Sequence, residues 1–244
     1  MLASTLLLIG WSESNAQKQI AIDPVNHTDG HIGELDTHFH NALVNYKNGK
    51  YLLAANEVQK SASYIKAVSN EAKENDKKAI ITCYEKLVSL TNSLQTEKIE
   101  SSENLNDIFA KTHYTISRHH YINAVVLESN KEMEKANREM RSAGKHLTLA
   151  ARWSSDELNK DLEVNWKVTE KAGSSIGNET KISAEEFRNG MKIIAFETEK
   201  LGAKIFSNKE EKYHISYWIE EAELREMNYE MDQPFGPWKI QVEN

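Results

Sequence analysis

The chain is poor in the residues that make turns and crosslinks. Its 244 residues include 10 Gly, 3 Pro and 1 Cys. Gly and Pro together stand at about half their usual share, which argues against an all-β chain with many turns. It also excludes collagen-like and Gly/Pro-rich disordered classes. With Cys83 alone, no intramolecular disulfide and no cysteine-based zinc site can form. Cys83 lies at core spacing within Ile80-Ile81-Thr82-Cys83-Tyr84 and reads as a buried small hydrophobe rather than a reactive thiol. An excess of basic charge is also lacking. With 30 basic and 37 acidic residues the net charge is −7, which gives no electrostatic reason to expect nucleic-acid binding.

Long apolar runs are missing too. The one notable stretch is Leu2 to Trp11, ten residues that would rise only about 15 Å as a helix, half of a bilayer core. Ser14-Asn15-Ala16 follows, with small residues where signal peptidase reads them. This predicts a secretory signal cleaved after Ala16, although no Lys or Arg precedes the run to form the usual basic region. No other segment approaches the length of a transmembrane helix. Several catalytic and cofactor motifs are absent as well: Gly-x-Gly-x-x-Gly, the Walker loop, Gly-x-Ser-x-Gly, His-Glu-x-x-His and Cys-x-x-Cys-His.

What is present is helical periodicity. Apolar residues recur by threes and fours, and the spacing predicts helices over 35–48, 51–73, 75–98, 104–129, 131–153, 156–172, 183–206 and 209–228. Asn48-Gly49 suits a left-handed helix end, and Ser183-Ala184-Glu185-Glu186 resembles a capping box. The one competing strand signal is the short segment Trp238 to Val242.

The chain also resembles itself at an offset of 82. His38, Asn41 and Ala42 align with His120, Asn123 and Ala124. Farther along, Ala54 meets Ala136, Ile65 meets Leu147, Glu103 meets Glu185 and Phe109 meets Met191. The offset is not a multiple of 3.6, and loop positions match as well, so helical period alone does not produce it. These features predict an all-α, antiparallel (up-and-down) helical bundle of seven to eight helices with an internal duplication of about 82 residues. The expected organisation is a signal peptide at 1–16 and a polar, histidine-containing tail at 17–34. Two helical repeats at 35–116 and 117–206 follow, then a C-terminal helix with an aromatic tail at 207–244.

Nine histidines are the one chemically suggestive feature. His27, His31, His38 and His40 cluster near the start, interleaved with Asp29, Glu34 and Asp36. His113, His119 and His120 form a second group, while His146 and His214 are single. His113 and His120 are two turns apart on one helix face, on a seam with Phe109, Ile116 and Leu127. A histidine in a bundle seam needs a partner for each ring nitrogen, either a hydrogen bond or a metal. Imidazole suits zinc, copper and haem iron, which makes His38, His40, His113, His119 and His120 the candidate metal ligands. The spacing counts against them: His38 and His40 face different sides of a helix, and no Glu-x-x-His pair of the di-iron bundles occurs on the helices that carry them.

The sequence is therefore read as a secreted or periplasmic, non-enzymatic helical binding or interaction module. Its partner would be a protein or small molecule of the cell envelope. A histidine-based metal or haem carrier is the alternative, and an enzyme with a site invisible to motifs is a third.

Overall fold

A computed structural model describes residues 30–98, 101–154 and 183–206. Six helices account for nearly all of it, and no strand occurs among the described residues. They are α1 (Gly30–Lys47), α2 (Tyr51–Glu71), α3 (Glu74–Gln95), α4 (Ser102–Ser129), α5 (Met133–Ser154) and α6 (Ala184–Ile205). The helices expected at 156–172 and 209–228, and the segment 238–242, lie outside the described residues. None of the helices described is long and apolar enough to cross a membrane.

Short connections fold successive helices back on one another, giving the all-α bundle that the periodicity predicts. The most extensive packing is between α4 and α5, followed by α2 with α3 and α1 with α2. Two hydrophobic cores result. Leu35 and Phe39 of α1, Val58 and Ile65 of α2, Leu87 of α3 and Phe109 of α4 meet in the first. Tyr114 of α4, Met140 and Leu147 of α5 and Phe187 and Leu201 of α6 meet in the second. The 28 residues of α4 span about 42 Å, and α4 serves both cores, with Phe109 and Ile116 on one and Ala110 and Tyr114 on the other. The expected division between 116 and 117 falls inside this unbroken helix. Trp153, near the end of α5, packs against both cores.

Most helix boundaries fall within two or three residues of those read from the sequence. The exception is α1, which begins at Gly30 rather than Leu35. The helix runs on through Gly33, where glycine lowers helix propensity by about 1 kcal/mol without forbidding the conformation. At the start of α6 the capping box forms as expected: Glu186 N–H donates to Ser183 Oγ at 3.2 Å, and Ser183 N–H donates to Glu186 Oε2 at 2.8 Å.

The two three-residue turns are built alike. After α1, the amides of Asn48, Gly49 and Lys50 donate to the carbonyls of Val44, Tyr46 and Asn45. After α4, Asn130, Lys131 and Glu132 donate to Val126, Glu128 and Leu127. Each donor and each acceptor has its counterpart 82 positions on. Gly49 turns the chain at φ +68° and Lys131 at +64°, so a lysine occupies the left-handed conformation that glycine adopts freely. Three helix boundaries share the offset: α1 and α4 end at Lys47 and Ser129, α2 and α5 begin at Tyr51 and Met133, and α4 and α6 begin at Ser102 and Ala184.

Candidate functional site

The histidines of the seam enter the interior together. His113, His119 and His120 of α4 and His146 of α5 are all buried, His113 and His146 completely. His38 of α1 is partly buried and His40 is exposed. The side chain of His31 lies outside the described residues, as do His27 and His214. Burying an imidazole is costly unless its nitrogens find partners. Most of the partners here are carboxylates.

His38 donates from Nδ1 to Glu57 Oε2 on α2 at 2.6 Å. His120 donates from Nδ1 to Glu139 Oε2 on α5 at 2.7 Å. These two pairs occupy positions related by the offset of 82, with 19 residues between imidazole and carboxylate in both. His119 reaches Asp76 Oδ2 of α3 from Nδ1 at 3.3 Å, and its Nε2 accepts from the Asn123 amide at 3.1 Å. Asn123 also lies 3.5 Å from Glu139 Oε2, which links the two pairs.

A second series of contacts crosses from α1 to α5. Trp153 donates its indole N–H to Asp36 Oδ1 at 2.8 Å. The same oxygen lies 3.5 Å from His113 Nε2, a long electrostatic contact rather than a well-formed hydrogen bond. On the other edge of that ring, His113 Nδ1 and His146 Nδ1 are 2.9 Å apart. Only one proton fits between them. If the Nε2–H of His113 points at Asp36, His113 Nδ1 is the acceptor and His146 the donor. The Nε2 of His146 is then a bare lone pair, buried and with no hydrogen-bond partner among the described residues. The rings of His146 and His120 stack with centroids 5.5 Å apart and planes at 12°, which joins the two series.

The electrostatics follow from this arrangement. Burial pushes His113 below its ordinary value of 6.5, and Asp36 offsets only part of that. His146 falls further, first through burial and then through the positive charge its neighbours His113, His120, His119 and Lys145 would carry. The carboxylates move the other way from what burial alone dictates. Burial raises Glu139, but the bond from His120, the charges of His120 and His119 and the Asn123 amide outweigh it and hold the group below the ordinary range. Asp36 is lowered on balance by His113, Trp153 and Arg152, and Glu57 by Lys60 and His38.

The fold therefore brings three of the five candidate ligands close together, His113, His119 and His120. It pairs His38 with a carboxylate of its own and leaves His40 at the surface. Among the described residues, no three His, Cys, Asp or Glu groups stand together so as to hold a metal ion. His146, which the sequence reading set aside as single, is central to the cluster. Its signal was available: it lies one turn after Ala143 and next to Leu147, on the apolar stripe of α5. Cys83 is buried, and its thiol lies 3.2 Å from Thr115 Oγ1, as suits a packed core residue. Comparison with protein-family models, with curated proteins and with solved structures gave no match to this chain.

Proposed function

We propose that the protein is a non-enzymatic binding or interaction module made of two copies of one helical unit, and that it works in the cell envelope or outside the cell. The apolar run Leu2 to Trp11 with Ser14-Asn15-Ala16 supports the location. Three features support the duplication: the matching turns, the helix boundaries 82 apart, and the equivalent pairs His38–Glu57 and His120–Glu139. The buried histidines do not favour catalysis, since the rings of His113 and His146 have no exposure through which a substrate could reach them.

The observation that carries the interaction reading is a difference between the two hairpins. Among the described residues, the exposed large hydrophobics are Val44, Leu52, Leu53 and Phe196, and the first three flank the α1–α2 turn. Leu52 is 66% and Leu53 50% exposed. At the corresponding positions of the α4–α5 hairpin the chain has Val126, Glu134 and Lys135. The same turn is thus built with charged residues at two of those positions, so its geometry does not require exposed leucines there. Large apolar side chains held in water beside a rigid turn suit a protein partner with an apolar recess.

The test is site-specific photocrosslinking in the native cell, with the crosslinker placed at Leu52 and, as control, at Glu134. The expected result is a discrete protein adduct from position 52 that disappears when Leu53→Lys is added and that position 134 does not give. Equal labelling from both positions would overturn the proposal. An adduct of twice the chain mass would identify the partner as a second copy.

A further inference from the structure

We infer that the His113–His146 pair is a proton-operated clasp, which holds α5 against α4 while both rings are neutral and parts them when the pair takes up two protons. The geometry sets this limit. At 2.9 Å, the facing Nδ1 atoms have room for one proton between them. The first added proton is drawn to His113, the ring nearer the Asp36 carboxylate. His113 then donates from both nitrogens. His146 must accept at Nδ1 and carry its own proton on Nε2, where no described acceptor stands. A second proton puts N–H against N–H across the contact, and the rings must separate.

The surrounding charges do not relieve this. Among the described residues Asp36 of α1 is the acid that favours charging of the pair, and it lies on the far edge of His113. From α4, His119 and His120 face His146, and from α5 Lys145, and every charge they carry is positive. Arg152 of α5 acts against the charging of His113. Glu139 of α5 and Asp76 of α3 are engaged by His120 and His119. On α2, Tyr64 feels the charge of Glu139, and burial first, then the acids around it, push its phenol well above its ordinary range.

Tyr64 is also the residue 82 positions before His146. The first hairpin thus has a phenol where the second has the imidazole, and it provides an internal control. The inference does not depend on what the module binds.

The experiment is hydrogen exchange of the full chain at pH 7.5 and pH 5.5, corrected for intrinsic rates and read by mass spectrometry. A histidine held below 6.5 in the fold but titrating near 6.5 once released favours the opened state at the lower pH by up to about tenfold, so the pair gives between about tenfold, if the closed pair accepts the first proton, and about a hundredfold. The expected result is an increase of that order in the opening of residues 133–154, with residues 51–71 nearly unchanged. A His113→Leu/His146→Leu variant should lose the pH dependence of 133–154. Equal acid opening of both hairpins would overturn the inference, as would none. Imidazole nitrogen NMR on the unaltered protein decides the matter even if that variant fails to fold. Neutral rings at pH 6 agree with the clasp. Two fully charged rings at pH 6 with unchanged exchange refute it.

Discussion

Trp153 and Asp36, 117 residues apart in sequence, are joined by a hydrogen bond of 2.8 Å from the indole N–H to a carboxylate oxygen. The bond ties the end of α5 to the first turns of α1, the first and fifth of the six described helices. The indole also meets the Phe109 ring edge-on, with centroids 5.2 Å apart. Trp153→Phe keeps an aromatic ring there but removes the donor. The partly exposed carboxylate then keeps the long contact to His113 and the charge of Arg152, at a cost of about 1–3 kcal/mol. Urea denaturation should show a lower midpoint with an unchanged slope. A midpoint equal to that of the parent protein would mean that solvent replaces the indole without loss.

The paired turns make opposite predictions for one kind of substitution. Gly49 and Lys131 share the left-handed conformation, and nothing lies within 4 Å of a Cβ added at Gly49. Gly49→Ala therefore costs only the backbone preference, about 1 kcal/mol. Lys131→Gly removes the same strain but gives the unfolded chain more freedom, for a net gain of roughly 0.5–1 kcal/mol. Thermal unfolding of the two variants should shift in opposite directions. Shifts of the same sign would show that the two turns are not energetically equivalent.

Two glycines of α6 differ in what stands against them. A Cβ at Gly202 would meet the hydroxyl of Tyr114 and its Cζ at 3.0 Å, and that ring is buried and rigid. A Cβ at Gly190 would meet Met140 Sδ at 2.9 Å, on a flexible thioether. Gly202→Ala should cost about 2 kcal/mol or more through overpacking, and Gly190→Ala under about 1 kcal/mol. Equal losses would mean that the tyrosine and the methionine yield alike.

The helices were legible because their apolar spacing is regular, and Tyr51 was placed as the first residue of α2 from sequence alone. The seam was legible for the same reason. His113 and His120 were put on one face with Phe109 and Ile116, and all four are buried. The carboxylates that serve the imidazoles were not legible. Glu57, Asp76 and Glu139 look like ordinary charged helix residues, and only the packing of α2, α3 and α5 decides which histidine each one meets. His146 was passed over because a lone histidine on an apolar stripe has no near neighbour in sequence. Its partner is 33 residues away on another helix. The exposure of Leu52 is not legible either, since a leucine near a helix start reads as core, while the helix turns it outward and buries Ala54, Ala55 and Val58 instead.

The carboxylate partners predict an acid limb separate from that of the clasp. Glu139 is held below its ordinary value of 4.5 in the fold, so the unfolded chain binds its proton at higher pH than the folded one. Its contribution to stability is therefore complete above about pH 4.5 and is lost as the pH falls through the folded value. The clasp acts higher, beginning near pH 6.5, because its imidazoles are lowered from that value and the unfolded chain takes up protons first. Glu139→Gln removes the titrating group and leaves His120 facing a neutral amide. Stability at pH 7 should fall, and its loss between pH 5 and pH 3 should become shallower than in the parent protein. Glu57→Gln should have a smaller effect of the same sign, since its other partner, Lys60, is exposed while Glu139 is bound by buried His120 and lies near Asn123. Urea titrations at each pH measure both limbs on one sample. If Glu139→Gln altered the limb near pH 6 and left the acid limb unchanged, the carboxylate would belong to the clasp and the two windows would not be separate.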